Sequence, residues 1–224
     1  MIFSEEDKKK VVERYSKRFA DFGYSQKAVG WGEKGKQEFR FEVLASLWNF
    51  DNASVLDIGA GFGDLYKYLK SKWRIRKYQG LELVPALVQE GNKLFGQHAD
   101  FNLSEANILD YPLDENYDFI LISGLFNFKL VGGDNYEFIN RVMAKAFSKC
   151  NVGLAANFIT DRVDYHEELI FNAQPEKIIS ISLSLTKNFV LRNDYFPFEY
   201  SVFLNKDDSF SKSDTIFNSY KNAR

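Results

Sequence analysis

Apolar positions in this chain keep a helical period near the N-terminus and then break into short runs that alternate with helical stretches. After Ser4 and Asp7, whose spacing is that of a capping box, Val11, Val12, Tyr15 and Phe19 recur on one helical face. This predicts a helix from Ser4 to about Phe22. Gly23, Gly30, Gly32 and Gly35 then crowd one stretch, too many glycines for a regular element, so Gly23 to Gly35 reads as a loop. Phe39, Val43, Leu44 and Leu47 restore the helical period from Gln37 to Trp48, with Gln37 and Arg40 one turn apart on one face.

From Val55 onward the pattern is different. Val55 to Ile58, Tyr78 to Leu83, Phe101 to Ala106, Tyr117 to Ser123 and Val152 to Ile159 are short apolar runs of strand length. Between them, Asp64 to Lys70, Pro85 to Phe95 and Asp134 to Phe147 have helical spacing, and Pro85 suits a first helical turn. Sustained βα alternation implies a parallel sheet with helices on both faces, because each parallel connection must cross over with right-handed sense. In the last third, a helix from Pro175 to about Leu185 precedes two strands, Asn188 to Arg192 and Tyr200 to Leu204. The short turn between these strands pairs them antiparallel at one end of the sheet. The residues after Asp207, rich in Ser, Lys and Asn, read as a loose tail.

Composition narrows the classes. The 224 residues suit one domain spanning 1–224: helices and a lid over 1–50, a core over 53–206 and a tail over 207–224. A net charge of -2 offers no broad positive field, which makes nucleic acid an unfavoured partner despite the local cluster Lys72, Arg74, Arg76 and Lys77. Cys150 is the only cysteine, so no disulfide forms within one chain and a reducing compartment fits. The opening MIFSEEDKKK lacks the order of a signal peptide, and no apolar run approaches the ~20 residues that span a bilayer. The expectation is a cytoplasmic protein without membrane contact, and neither histidine sits in a metal-ligand pattern.

The most informative segment is VLDIGAGFGDL, Val55 to Leu65, where a buried strand runs into alternate glycines and then a helix. Gly59, Gly61 and Gly63 permit a tight turn and let a ligand lie against backbone, Ala60 included, at the positive end of the next helix. Asp57, at the strand's carboxyl end, is placed to orient that loop and meet a charged group. Glu82 ends the second strand, 19 residues after Gly63, where a carboxylate can accept hydrogen bonds from both hydroxyls of a ribose.

Asp57-Ile58-Gly59-Ala60-Gly61-Phe62-Gly63 resembles the first motif of the class I S-adenosylmethionine-dependent methyltransferases, and Glu82 matches their second-strand acid. A dinucleotide oxidoreductase would want glycine where this chain has Asp64. The resemblance covers roughly residues 53 to 206, and a weaker one links GW...Q..RF to bacterial members from surface-glycan and natural-product gene clusters. It implies a Rossmann-like α/β fold, seven strands with an antiparallel C-terminal strand, and an N-terminal helical lid. It also implies S-adenosyl-L-methionine as cofactor and S-adenosyl-L-homocysteine as product. By this likeness Leu83 also binds the cofactor, Asn107 and Ile108 lie beside adenine, and the exit Ser123-Gly124-Leu125-Phe126-Asn127-Phe128 sits under the methionine and faces the acceptor.

For the acceptor, Trp31, Gln37, Arg40, Phe126 and Phe128 are the candidate contacts, with Arg40 offering a guanidinium to a carboxylate or phosphate. No Asp/Asn-Pro-Pro-Tyr/Phe tetrapeptide follows the strand at Tyr117 to Ser123, which argues against amino methylation of adenine, cytosine or glutamine. If a hydroxyl acceptor needs a base, His166 is the leading candidate, with Tyr165 and Asp161 nearby. The expected activity is methyl transfer to a small acceptor at oxygen, as in a sugar, carboxylate or phosphate. An acceptor in RNA or protein, a noncatalytic sensor or scaffold, and the oligomeric state are left open by the residues.

Overall fold

A computed structural model describes residues 2–32 and 36–222. Its helices are α1 (Glu5–Phe22), α2 (Lys36–Leu44), α3 (Asp64–Lys72), α4 (Pro85–Phe95), α5 (Asn135–Ser148), α6 (Pro175–Leu185) and α7 (Asn218–Asn222). Its strands are β1 (Ser54–Ile58), β2 (Lys77–Glu82), β3 (Phe101–Glu105), β4 (Tyr117–Ile122), β5 (Cys150–Ile159), β6 (Phe189–Arg192) and β7 (Glu199–Asn205). They form one sheet in the order β3-β2-β1-β4-β5-β7-β6, parallel except for the pairings of β7.

Alternation of side chains along each strand divides the core between the two faces of the sheet. Leu56, Ile58, Ile120, Ile122, Leu154 and Ala156 pack with Ile139, Val142 and Met143 of α5. Val55, Phe119, Leu121, Ala155 and Phe203 pack on the opposite face with residues of α2 and α3, such as Val43, Leu44, Leu65 and Leu69. A strand with both faces covered must be apolar at nearly every position, which is why β1 and β4 read as continuous apolar runs. The strand order reverses between β1 and β4: from β1 the chain first builds β2 and β3 to one side, then crosses to β4 on the other. Such a reversal leaves a crevice at the carboxyl ends of the strands.

Helix α1 covers that crevice. Ser4 and Asp7 form the expected capping box, and Asp7 does more, because its Oδ1 accepts from the backbone N–H groups of Val131 (2.7 Å) and Gly132 (3.2 Å). The helix is thereby fastened to the loop after β4. Val11, Tyr15, Phe19 and Val29 pack on a small separate cluster of Ala28, Phe62, Val84 and Leu87.

Two boundaries differ from those the periodicity predicts. Helix α2 stops at Leu44 and the chain turns through Ala45–Leu47, which lets Trp48 lie against Gly153 and donate from Nε1 to Asn205 Oδ1 at 3.0 Å. The tail is not featureless: Phe210 bridges to Phe217 and α7 follows. The predicted loop is a series of bends and turns through Gly30, and its last three residues, 33–35, lie outside the described residues.

Candidate functional site

One cavity at the carboxyl ends of β1, β2 and β4 gathers residues from distant parts of the sequence. Asp57, Gly59, Ala60, Gly61, Glu82, Leu83, Asn107, Ile108, Ser123, Gly124 and Phe128 line its floor and walls, and Trp31 and Gln37 reach it from the lid. The glycine loop has the geometry that the spacing implies. Gly61 has φ +57°, and a β-carbon there would stand 3.2 Å from Val29 of the lid. Any side chain at this position would be strained by its backbone and would occupy the space between loop and lid.

Glu82 clamps this corner. Its Oε2 accepts from Gly61 N–H at 2.9 Å, and its Oε1 accepts from Leu83 and Val84 N–H, each at 2.9 Å. Burial raises the pKa of Glu82, and the three N–H bonds oppose that rise by favouring the charged form. Oε2 has one protein donor and thus keeps capacity for a further hydroxyl.

Asp57, only 2% exposed, accepts from the Tyr78 hydroxyl through Oδ2 at 2.5 Å, while its Oδ1 is buried with no partner. Burial pushes its pKa up to about 7; the Tyr78 bond resists this, and the negative charges of Glu82 and Asp64 add to it. Buried polar atoms without partners are uncommon in folded proteins. Four side-chain atoms qualify among the described residues, and three of them, Asp57 Oδ1, Ser123 Oγ and Asn127 Oδ1, belong to residues lining this cavity. Their concentration in one place marks a surface built for donors that the chain itself does not supply.

The exit of β4 explains how two of those atoms arrive. Gly124 adopts φ +77° and donates its N–H to Oδ1 of the buried Asn157 at 2.7 Å, starting a 3-10 turn over Leu125–Asn127. Trp31 of the lid lies directly on Gly124, so close that a β-carbon there would be 2.8 Å from the indole. Tyr24 donates to Asp64 at 2.5 Å, so the residue that departs from the dinucleotide pattern ties the lid to the start of α3.

Six of the predicted site residues do not line the cavity, and each has a visible reason. Gly63 (φ +84°) starts α3 and packs against Phe101. Phe126 is 2% exposed and stacked on Phe158, so it belongs to the core. Arg40 is buried, forms an ion pair with Glu199, and lies between Trp31 and Phe196, 4.1 and 4.8 Å from their ring centroids. It braces Trp31 and is not free for an acceptor's anion.

His166 and Tyr165 follow β5 on the outer surface, and Asp161 before them is partly buried. His166 Nδ1 is 3.2 Å from Asn172 Oδ1, Tyr165 is 64% exposed, and Asp161 lies beside Arg162. The same connection instead sends Leu169 and Ile170 into the cavity wall. Asn107, though in the wall, is bound locally: its amide donates to Asp110 at 2.8 Å and accepts from Leu109 N–H at 3.1 Å.

Among the polar lining residues, Arg14 and Tyr15 lie outside the set that the sequence predicts. Arg14 and Tyr15 sit on α1 near Val11, which also lines the cavity, so the apolar stripe of that helix was the available signal. Asn127 lines the cavity as part of the β4 exit that the resemblance sets against the acceptor. Among the described residues, no group of three or more His, Cys, Asp or Glu is placed to hold a metal, and no helix is long and apolar enough to cross a membrane.

No family model matches the chain. Over 161 residues, 70% of this chain and 95% of the relative, it is 23% identical to a Mycobacterium tuberculosis (strain ATCC 25618 / H37Rv) protein provisionally named a methyltransferase, Rv1506c. The structure is similar to magnesium protoporphyrin IX methyltransferase from Synechocystis PCC 6803, solved with bound SAM. That match has TM-score 0.64 and 13% identity, over 92% of this chain and 100% of that one. It is also similar to N-methyltransferase NodS from Bradyrhizobium japonicum WM9, solved with S-adenosyl-L-homocysteine, at TM-score 0.65 and 11% identity over 87% and 97% of the two chains. The chain has the fold of the class I S-adenosylmethionine-dependent methyltransferases.

Proposed function

We propose that this chain is an enzyme that binds S-adenosylmethionine and transfers its methyl group to a small acceptor, at oxygen. The observation that carries the reading is the corner where the Gly59–Gly63 backbone, the Glu82 carboxylate and the unpartnered Asp57 Oδ1 converge. A ribose diol suits the remaining capacity of Glu82, and an ammonium group suits Asp57. The bare backbone between them suits a ligand lying flat on the loop. The relatives solved with SAM or S-adenosyl-L-homocysteine support the same ligand.

Bound S-adenosylmethionine would supply a methyl group already activated on a sulfonium. The protein's own part is then alignment and exclusion of water. Alignment alone can be large, since effective molarities reach roughly 10⁵ to 10⁸ M in well-oriented reactions. Trp31 and Val29 close the lid side, while Phe128, Leu169 and Ile170 make an apolar wall near the β4 exit, where Ser123 and Asn127 can orient an acceptor. No histidine or lysine is among the described lining residues. That favours an oxygen needing no strong base, such as a carboxylate or phosphate, over an unactivated alcohol. The covered cavity favours a small acceptor over RNA or a protein side chain.

Calorimetric titration with S-adenosylmethionine and with NAD tests the ligand: saturable binding of the former alone is expected, and a preference for NAD would overturn the reading. Incubation with methyl-labelled cofactor and cell extract tests the reaction. Label is expected in the small-molecule fraction. Label in RNA or protein would reassign the acceptor, and tight binding without transfer would make the chain a sensor or scaffold.

A further inference from the structure

We infer that Arg40 is a positioning residue for the acceptor: paired with Glu199 and packed on Phe196, it fixes Trp31 as a wall beside the β4 exit. The turn between β6 and β7, which supplies none of the described lining residues, thereby sets how bulky an acceptor the site admits. The inference rests on the methyltransferase reading above and deepens it on the acceptor side. Arg40 is buried on α2, where its Nη1 donates to the Lys36 carbonyl one turn back at 2.9 Å. Its Nε donates to Glu199 Oε2 at 2.8 Å and its Nη2 to Glu199 Oε1, so one carboxylate holds two edges of the guanidinium. With its edges held, the group packs against two rings, 4.1 Å from the centroid of Trp31 and 4.8 Å from that of Phe196. A lysine would bring the charge to this place without the plane.

The far end of this run of contacts is anchored. Glu199 opens β7, and the turn before it is tied down: the Phe198 carbonyl accepts from Thr160 N–H after β5 at 2.9 Å, and the Tyr195 hydroxyl lies 2.8 Å from Ser201 Oγ. Phe196 also meets Phe39 of α2, with ring centroids 5.3 Å apart. The near end stands where an acceptor would enter. Trp31 is seated on Gly124, and the same turn carries Ser123 and Asn127 with their unpartnered oxygens. A glycine lets the indole come down onto backbone, but contact with a glycine does not hold a ring in one direction. Arg40 supplies that direction. A buried ion pair adds little stability over a well-packed apolar pair, yet it fixes its members in place, and loss of either member leaves a buried charge uncompensated. Glu199 therefore acts on the acceptor side through Arg40 and Trp31 without touching the cavity.

The test follows Trp31 itself. The three tryptophans are replaced by 5-fluorotryptophan and observed by fluorine NMR, with Trp31→Phe assigning the Trp31 resonance. Arg40→Gln, Arg40→Lys and Glu199→Gln are compared with the unaltered protein, each checked for an unchanged far-ultraviolet spectrum. The Trp31 resonance should shift or broaden in all three variants while those of Trp48 and Trp73 stay in place. Calorimetric affinity for S-adenosylhomocysteine should stay within about threefold, whereas label transfer into the small-molecule fraction of cell extract, at saturating labelled cofactor, should fall about tenfold or more. Arg40→Lys should lie nearer Arg40→Gln than the unaltered protein, because the plane is lost with the guanidinium. An unmoved Trp31 resonance in Arg40→Gln would overturn the assignment. Equal losses of cofactor affinity and transfer would also overturn it, since Arg40 would then only support the fold. Should Arg40→Gln not fold, Glu199→Gln and Arg40→Lys decide by the same readings. Failure of the unaltered protein to bind S-adenosylhomocysteine, or to transfer label at all, would instead sink the methyltransferase reading and this assignment with it.

Discussion

The glycine-loop corner and the β4 exit adjoin in one cavity, where Leu125 would lie 3.2 Å from a β-carbon on Gly59, yet they are built on different principles. At the corner, Glu82 is fixed by backbone N–H groups from the loop and from its own strand end, all within a βαβ unit. At the exit, Ser123 and Asn127 carry unpartnered oxygens, and the turn that presents them depends on Asn157 from β5 and on Trp31 from the lid. The first region takes its shape from its local chain, and the unpartnered Asp57 Oδ1 leaves it one open acceptor for a ligand. The second is an assembly of three distant segments, and its two unpartnered oxygens are open to an acceptor.

The sharpest way to break this contrast is to fill the corner. Gly61→Arg places a side chain at φ +57° in the space held against Val29 and should reduce S-adenosylmethionine affinity by more than about a hundredfold in calorimetry. Normal binding by a folded variant would show that the ligand lies elsewhere.

A smaller effect tests the buried carboxylate of Asp57. Its pKa in the folded protein is raised from 3.8 to about 7, so between those values the folded state holds a proton that the unfolded state has lost. Stability from this group therefore falls as pH rises through that window, by about 1 kcal/mol between pH 6 and pH 8. Urea unfolding at the two values should show the decline in the ligand-free protein and a flatter profile in Asp57→Asn. An equal decline in the variant would place the titrating group elsewhere. The smallest effect belongs to the far rim: His166→Ala should leave turnover within about twofold of the unaltered enzyme, because His166 faces Asn172 and not the cavity. A large loss would bring the β5–α6 connection into the reaction.

How much was legible follows the same division. The seven strands, their places along the chain and the antiparallel close are written in apolar periodicity, because strands buried on both faces tolerate few polar residues. The glycine loop is equally plain, since positive φ leaves little choice of residue. Arg40 shows the limit: its face on α2 was foreseeable, but its partner Glu199 is 159 positions away. A charge that looks free in sequence is committed in the fold. Asn127 shows the converse, an ordinary residue in sequence whose buried, unpartnered oxygen gives it meaning.

The sheet, the glycine-loop corner and the acid beside it follow from local pattern, since each depends on torsion preferences and burial within a few tens of residues. Which polar groups remain uncommitted emerges only when distant segments meet. Satisfaction of a charge or a hydrogen bond is a property of what folding brings within 3 Å, and no local pattern encodes that.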